Sequence, residues 1–170
     1  MKGQIAVPTV ISSLRIAALP LFIYLYNLGN TAACLGILAF CAATDYFDGY
    51  AARKLNATSR FGAYYDAKTD FILIMGIFTI FTADGFYPIW LVLLIAAAFI
   101  QFLATSFLTK KLYDPVGRYL GSALYIGVAL TLLWPTQTVF DFVQYAFAGF
   151  FLVSMASRII SLTRKAPKQP

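Results

Sequence analysis

The sequence has no histidine and no glutamate, and it is poor in charge of either sign. Charged residues make up 12% of its 170 residues, whereas 61% are hydrophobic and the mean hydropathy is +0.76. This is too little charge to cover the surface of an ordinary soluble domain. The absence of histidine excludes Ser-His-Asp and Cys-His triads, HExxH zinc sites and histidine pH switches. Any chemistry must therefore rest on aspartates and basic residues.

Cysteine is also scarce. Cys34 and Cys41 are the two cysteines of the chain, and they lie two turns apart on one predicted helix, which is beyond the reach of a disulfide. Their spacing matches no zinc pattern, so we expect both to be small buried side chains. A cleavable signal peptide is not expected, because the first apolar segment is long, contains Arg15 and lacks a small-residue cleavage site.

Long apolar segments are abundant. A transmembrane helix needs about 20 mostly apolar residues to cross about 30 Å of hydrocarbon. Six segments qualify, approximately Pro8 to Leu28, Thr31 to Ala52, Gly62 to Ala83, Pro88 to Leu108, Gly117 to Trp134 and Val139 to Leu162. They are too uniformly apolar for the strands of an outer-membrane barrel. The predicted fold is an all-α integral membrane bundle of six transmembrane helices in one domain, residues 1–165, with a frayed tail at 166–170.

The charges predict how this bundle is oriented. Three of the five connections between segments have no basic residue, and the other two connections and both termini have nine of the thirteen. This asymmetry indicates a multi-pass protein of the cytoplasmic membrane with both termini in the cytoplasm. The net charge of +6 is therefore attributed to topology and to anionic lipid head groups, and no nucleic-acid partner is expected.

Four of the seven acidic residues lie at the junction of the second and third segments: Asp45, Asp48, Asp66 and Asp70. Charges at membrane depth cost several kcal/mol unless they are paired, hydrated or bound to metal, so such a cluster indicates function. Spacings of three and four residues put each pair on one helix face. Two divalent cations would neutralise all four carboxylates, and all-oxygen ligation favours Mg²⁺ or Mn²⁺. Paired metals suit phosphoryl chemistry.

Small residues and an arginine accompany the aspartates. Gly49, Ala52 and Gly62 leave room for a planar group near the backbone, and the Arg53 guanidinium can clamp a phosphate. Together they suggest a bound nucleotide diphosphate. Two alternatives account for these residues without chemistry: the aspartates could form solvated ion pairs with nearby basic residues, and the glycines could be close helix-packing sites. The first is disfavoured because ion pairs need no such register, whereas packing is compatible with binding.

Eight of these positions form one pattern: Asp45-Tyr-Phe-Asp48-Gly49-Tyr-Ala-Ala52-Arg53, eight residues, Gly62, three residues, Asp66, three residues, Asp70. It resembles the signature of the CDP-alcohol phosphotransferase (CDP-alcohol phosphatidyltransferase) family. The stretch from Pro8 to Arg15 is similar to that family's amino-terminal sequence, and the six-segment layout extends the resemblance over almost the whole chain. A chance match of eight positions at fixed offsets is far less probable than that of a lone glycine motif.

The resemblance implies a metal-dependent membrane enzyme of phospholipid biosynthesis, acting as a homodimer. Its donor would be CDP-diacylglycerol or an archaeal ether equivalent, and its products would be a phosphodiester-linked lipid and CMP. Asp45, Asp48 and Asp66 would hold two divalent ions, with Asp70 completing the second site or acting as general base. The donor would be bound by three small residues, one arginine and one serine: Gly49, Ala52, Gly62, Arg53 and Ser59.

The acceptor alcohol is left open by the sequence. Lys110, Lys111, Arg118 and Arg158 lie near the same predicted membrane face, where they could bind an acceptor phosphate or simply set topology. Glycerol 3-phosphate and an inositol phosphate both suit them, and serine and inositol are the alternatives. Many glycerophosphate-using relatives have Lys after the last motif Asp, where this chain has Phe71.

A different class, a small cation-coupled transporter, also explains intramembrane aspartates. It is disfavoured because the aspartates gather at one membrane face and no matching broken helices occur. An inactive scaffold is disfavoured because every motif position is present. The many Phe and Tyr residues are expected mainly to face lipid or the membrane interface.

Overall fold

The computed structural model describes residues 6–54, 60–109 and 117–163, with side chains at 15–44, 67–104 and 121–157. In these ranges the chain forms six helices and no strand. The helices are α1 (Ala6–Asn27), α2 (Thr31–Lys54), α3 (Arg60–Ala83), α4 (Ile89–Thr109), α5 (Gly117–Leu133) and α6 (Gln137–Thr163). Their ends lie within two residues of the predicted segments, which confirms the all-helical fold. The predicted tail, 166–170, lies outside the described residues.

Two of the turns that connect the helices contain a glycine whose backbone has a positive φ, in the left-handed region. Gly29 has φ +69° and Gly85 has φ +82°. At the first turn, Asn30 N donates to Leu25 O at 3.0 Å and Gly29 N donates to Tyr26 O at 2.9 Å, which is the Schellman pattern that ends a helix. Asn30 Oδ1 then accepts from Ala33 N at 3.0 Å and caps the start of α2. The chain therefore reverses within three residues, and α2 returns antiparallel along α1.

Cross-helix contacts fix the directions of the other helices. Arg15 of α1 contacts Asp70 of α3, and Tyr26, eleven residues later, donates to Asp84 at the end of α3. Contacts in this order mean that α1 and α3 are parallel. Tyr125 of α5 donates a hydrogen bond to Asp70. Tyr87, just after α3, shares a hydrogen bond with Thr131 near the end of α5. These two contacts mean that α5 is parallel to α3.

The helices thus alternate in direction along the chain. The turns at residues 28–30, 84–88 and 134–136 lie at one end of the bundle, here called the turn end. The start of α1, the end of α2, the start of α3 and the end of α6 lie at the opposite end. Helices α1 and α5 each pack against both α2 and α3, and α6 packs against α4 and α5.

Aromatic side chains fill part of the core, while Phe40, Phe142 and Tyr145 are exposed, and the expectation that most aromatic rings face lipid or the membrane interface stays a prediction. The fully or nearly fully buried ones are Phe22, Phe78, Phe81, Tyr87, Phe140 and Phe147. Near the turn end, Phe86 stacks on Phe140 with ring centroids 4.8 Å apart. Aromatic rings bury large areas and interlock well in edge and offset contacts, which helps helices pack where no water drives them together. The prediction for the cysteines is confirmed, since Cys34 and Cys41 are free and buried.

The outer surface of the bundle is strongly apolar. Exposed side chains include Tyr24, Leu93, Ile100, Phe142 and Leu152, each more than 60% exposed. Several polar residues are buried instead, namely Arg15, Thr69, Thr131, Gln144 and Ser154. A soluble domain has the reverse distribution, because its charged and polar groups are mostly exposed.

One stretch of the described chain, Gln137–Ser157, is by itself long and apolar enough to cross a membrane. Thr31–Thr44, Ile89–Ala104 and Gly121–Leu133 are shorter apolar helical stretches. The six helices are therefore established, whereas the six membrane crossings and the cytoplasmic termini stay predictions.

The close packing of α1 on α3 depends on Gly76. A Cβ added there would lie 2.6 Å from Leu19 Cδ2 and 3.2 Å from Leu19 Cγ, whereas one added at Gly36 of α2 would meet nothing within 4 Å. We expect Gly76→Val to lower the free energy of unfolding by about 1–3 kcal/mol through overpacking. Gly36→Val is the matched control and should change it little. Melting temperatures of the purified variants in detergent measure the difference, and equal values would contradict this packing.

Candidate active site

A buried ion pair joins α1 to α3. Arg15 Nη1 donates to Asp70 Oδ1 at 2.8 Å, with the arginine side chain 1% exposed and the aspartate side chain 28% exposed. A guanidinium placed inside apolar helices is stable only when it is neutralised and hydrogen-bonded. The contact therefore fixes Arg15 and orients the Asp70 carboxylate, which keeps access to the surface.

A third helix reaches the same carboxylate. Tyr125 Oη of α5 donates to Asp70 Oδ1 at 3.2 Å. The buried Cys41 of α2 lies within electrostatic range of Arg15, Asp70 and Tyr125. Helices α1, α2, α3 and α5 therefore converge around Asp70. On α3, Asp66 lies one turn before Asp70, and on α2, Asp45 lies one turn after Cys41.

The backbone locates the other motif aspartates. Asp45 and Asp48 lie in the last three turns of α2, and Asp66 lies in the second turn of α3. Because α2 and α3 are antiparallel, these positions and Asp70 lie at the same end of the bundle, opposite the turn end. The side chains of Asp45, Asp48 and Asp66 lie outside the described set, and within that set no three acidic or cysteine side chains form a metal-binding group.

The remaining predicted site residues divide into two sets. Those carried by helices lie toward the same end as Asp70: Gly49, Ala52 and Arg53 on α2, Gly62 on α3, Arg118 on α5 and Arg158 on α6. Their side chains are also outside the described set. Ser59, Lys110 and Lys111 lie outside the described residues. Asp70 is therefore the predicted site residue whose side-chain contacts the structure describes, and the roles of the others stay predictions.

Arg15 and Tyr125 were not among the predicted site residues. A signal for Arg15 was present, because an arginine in the middle of an apolar segment needs a partner of opposite charge. No sequence pattern selects Asp70 as that partner, since the two residues are 55 positions apart. For Tyr125 there was no signal, because a tyrosine in an apolar helix is unremarkable until its hydroxyl partner is known.

A model of the CDP-alcohol phosphatidyltransferase family matches residues 5–163, and the chain belongs to that family. Similar proteins include CDP-diacylglycerol–glycerol-3-phosphate 3-phosphatidyltransferases. That of Pectobacterium atrosepticum is 27% identical over 150 residues, covering 81% of this chain and 82% of the relative. That of Escherichia coli is 27% identical over 168 residues, covering 94% and 92%. That of Yersinia enterocolitica is 35% identical over 93 residues, covering 53% and 50%.

The family assignment makes the protein an enzyme, a CDP-alcohol phosphatidyltransferase of phospholipid biosynthesis. The predicted class is thus confirmed, and Asp70, the last aspartate of the motif, is the member whose surroundings are described in atomic detail. Its carboxylate is anchored through Oδ1 by two donors from helices distant in sequence.

The ion pair yields a prediction on stability. Arg15→Met removes the Arg15–Asp70 ion pair and should lower the free energy of unfolding by about 2 kcal/mol, less than for a fully buried pair because Asp70 is partly exposed. The Arg15→Met/Asp70→Asn variant should lose less than the sum of its single variants. The control is Lys68→Met, since Lys68 is exposed on α3. Melting temperatures in detergent measure all four, and strictly additive losses would refute the coupling.

Proposed function

We propose that the protein transfers a phosphatidyl group from CDP-diacylglycerol to the hydroxyl of glycerol 3-phosphate and releases CMP. The observation that carries this proposal is the shared activity named for relatives that align with four-fifths or more of the chain. Support from this chain comes from the eight-position motif and from a carboxylate, Asp70, oriented at the end of the bundle where the motif helices meet.

In this proposal Asp45, Asp48, Asp66 and Asp70 hold two Mg²⁺ or Mn²⁺ ions. Their oxygen-only donor set fits these hard cations, and Asp70 presents a carboxylate that is partly exposed. When bound, the ions would neutralise the donor diphosphate and stabilise the leaving phosphate of CMP. Asp70 would complete the second metal site or accept the proton of the acceptor hydroxyl, whose oxygen forms the new bond to phosphorus as the bond between phosphorus and the CMP oxygen breaks.

The donor nucleotide is assigned to the helix ends beside these aspartates. Gly49, Ala52 and Gly62 would leave space for the cytidine, because small side chains permit close approach to the backbone. Arg53 and Ser59 would contact the diphosphate, the arginine through a pair of parallel hydrogen bonds. An archaeal ether lipid would fit the same contacts, since they involve the nucleotide and not the chains.

For the acceptor, Lys110, Lys111, Arg118 and Arg158 would bind the phosphate of glycerol 3-phosphate. Phe71 does not contribute, because its ring stacks on Phe99 of α4 with centroids 3.9 Å apart. The charge that other glycerophosphate-using enzymes place after the last aspartate must therefore come from another position. An inositol phosphate would satisfy the same basic residues, whereas serine or inositol would leave them without a phosphate partner.

The distribution of polarity supports a membrane location with six crossings. Large apolar side chains cover the exterior while arginine, glutamine and threonine are buried, as expected when lipid is the solvent. We place the end carrying Asp70 at the cytoplasmic face, with both termini, by the positive-inside rule. The protein would act as a homodimer among membrane lipids. Membership of a transferase family argues against the transporter alternative.

Release of CMP by purified protein in detergent, with CDP-diacylglycerol and Mg²⁺ or Mn²⁺, tests the reaction. Glycerol 3-phosphate, an inositol phosphate, inositol and serine are supplied separately. We expect metal-dependent release with glycerol 3-phosphate and a loss of at least about 100-fold in Asp70→Asn, which removes the proton acceptor but keeps an oxygen for Arg15. Release with a different acceptor alone would replace glycerol 3-phosphate, and no metal-dependent release with any acceptor would refute the phosphotransferase proposal.

Orientation is tested by labelling intact bacterial cells with a membrane-impermeant maleimide. Thr136→Cys lies at the turn end and is exposed, so it should react from outside, whereas Lys168→Cys should react only after lysis. The natural cysteines are buried, so the unmodified protein serves as the blank. The reverse pattern would invert the topology, and protection of both positions until lysis would contradict a membrane crossing between them.

A further inference from the structure

Asp70 Oδ1 is contacted by donors from two different helices. Arg15 Nη1 lies 2.8 Å from this oxygen and Tyr125 Oη lies 3.2 Å from it. A charge pair alone needs only the arginine, because the guanidinium already neutralises the carboxylate. A second donor on the same oxygen adds little to that neutralisation. It does restrict rotation of the carboxylate, since the oxygen must satisfy two donors whose positions are set by α1 and α5.

We propose that Arg15 and Tyr125 are positioning residues that hold the Asp70 carboxylate, through the Oδ1 atom they share, in the orientation required for the transfer reaction. The inference rests on the proposed function and adds two residues to it. Neither residue contacts the substrates in this proposal. They act through Asp70, whose orientation decides how well it meets the acceptor hydroxyl.

Burial makes Arg15 suited to this task. Its side chain is 1% exposed, so water does not replace Asp70 as its hydrogen-bond partner. The planar guanidinium group also fixes the direction of each N–H. Tyr125 is partly buried on α5, the helix that also carries Arg118, one of the proposed acceptor-binding residues. Arg118 and Tyr125 are seven residues apart, about two turns along one helix face. Helix α5 would therefore tie the acceptor phosphate and the Asp70 carboxylate to a single rigid element.

The decisive variant is Tyr125→Phe, which removes one hydroxyl and keeps the ring. Its matched control is Tyr87→Phe at the turn end, where the Tyr87 hydroxyl shares a buried 2.6 Å hydrogen bond with Thr131. For Tyr125→Phe we expect kcat to fall at least about tenfold, with the KM and the equilibrium affinity for CDP-diacylglycerol within about twofold of the unmodified protein. Tyr87→Phe should keep its kcat within about twofold, although both variants lose a hydrogen bond and some thermal stability.

A second pair of variants tests Arg15. Arg15→Lys keeps the charge but not the planar fork, whereas Arg15→Met keeps neither. We expect Arg15→Lys to recover most of the melting temperature lost in Arg15→Met while its kcat remains at least about tenfold below that of the unmodified protein. Recovery of both stability and kcat by lysine would show that Arg15 supplies charge only, and would overturn its positioning role.

The outcomes separate this inference from the proposed function. An unmodified protein that releases CMP, together with a Tyr125→Phe variant as active as Tyr87→Phe, would overturn the positioning of Asp70 by Tyr125 and leave the proposed function intact. Equal losses of kcat in both tyrosine variants would show a general effect of stability and would also overturn it. An unmodified protein that releases no CMP with any acceptor would refute the proposed function and this inference with it.

Discussion

A guanidinium group that is almost completely buried among apolar helices must have an anionic partner, and in this bundle the partner is Asp70. The cost of leaving Arg15 uncompensated would be several kcal/mol, a large fraction of the stability of a domain this size. The need to avoid that cost sets α1 beside α3 in a parallel arrangement and in one register. Contacts farther along α1 and α3 are consistent with this parallel register, because Gly76 allows Leu19 to approach and Tyr26 donates to Asp84.

The two ends of the bundle differ in composition: one is filled by packed aromatic rings, and the other carries the motif. Toward the turn end, aromatic rings fill the core, and the polar groups there bond to one another, as Tyr87 does to Thr131 and Gln144 to Asp141. Toward the opposite end, Arg15 and Tyr125 contact Asp70, and the other motif positions lie at this end of α2 and α3. The apolar half therefore supports the half that carries the family's motif. Phe71 directly follows Asp70 and lies in this second half, but its ring packs on Phe99 of α4.

In the proposed function, a membrane location would explain why a polar reaction is carried out by so apolar a protein. CDP-diacylglycerol keeps its acyl chains in lipid and presents its diphosphate at the membrane surface. An enzyme for this donor needs an apolar exterior and an internal set of charges close to one face. The described part of the chain has exposed leucine, isoleucine and phenylalanine outside and a buried arginine paired with Asp70 inside, which fits this requirement.

The sequence alone determined the helices, because uniformly apolar segments of about 20 residues separated by glycine, proline and charge have few other stable structures. It also determined the family and the four aspartates, since motif spacing is a local property of α2 and α3. It could not select the partner of Arg15, the contact of Tyr125 with Asp70 or the burial of the aromatic rings. Each of these depends on which helix faces meet across tens of residues, and only the packed bundle decides that, through burial of charge and fit of side chains.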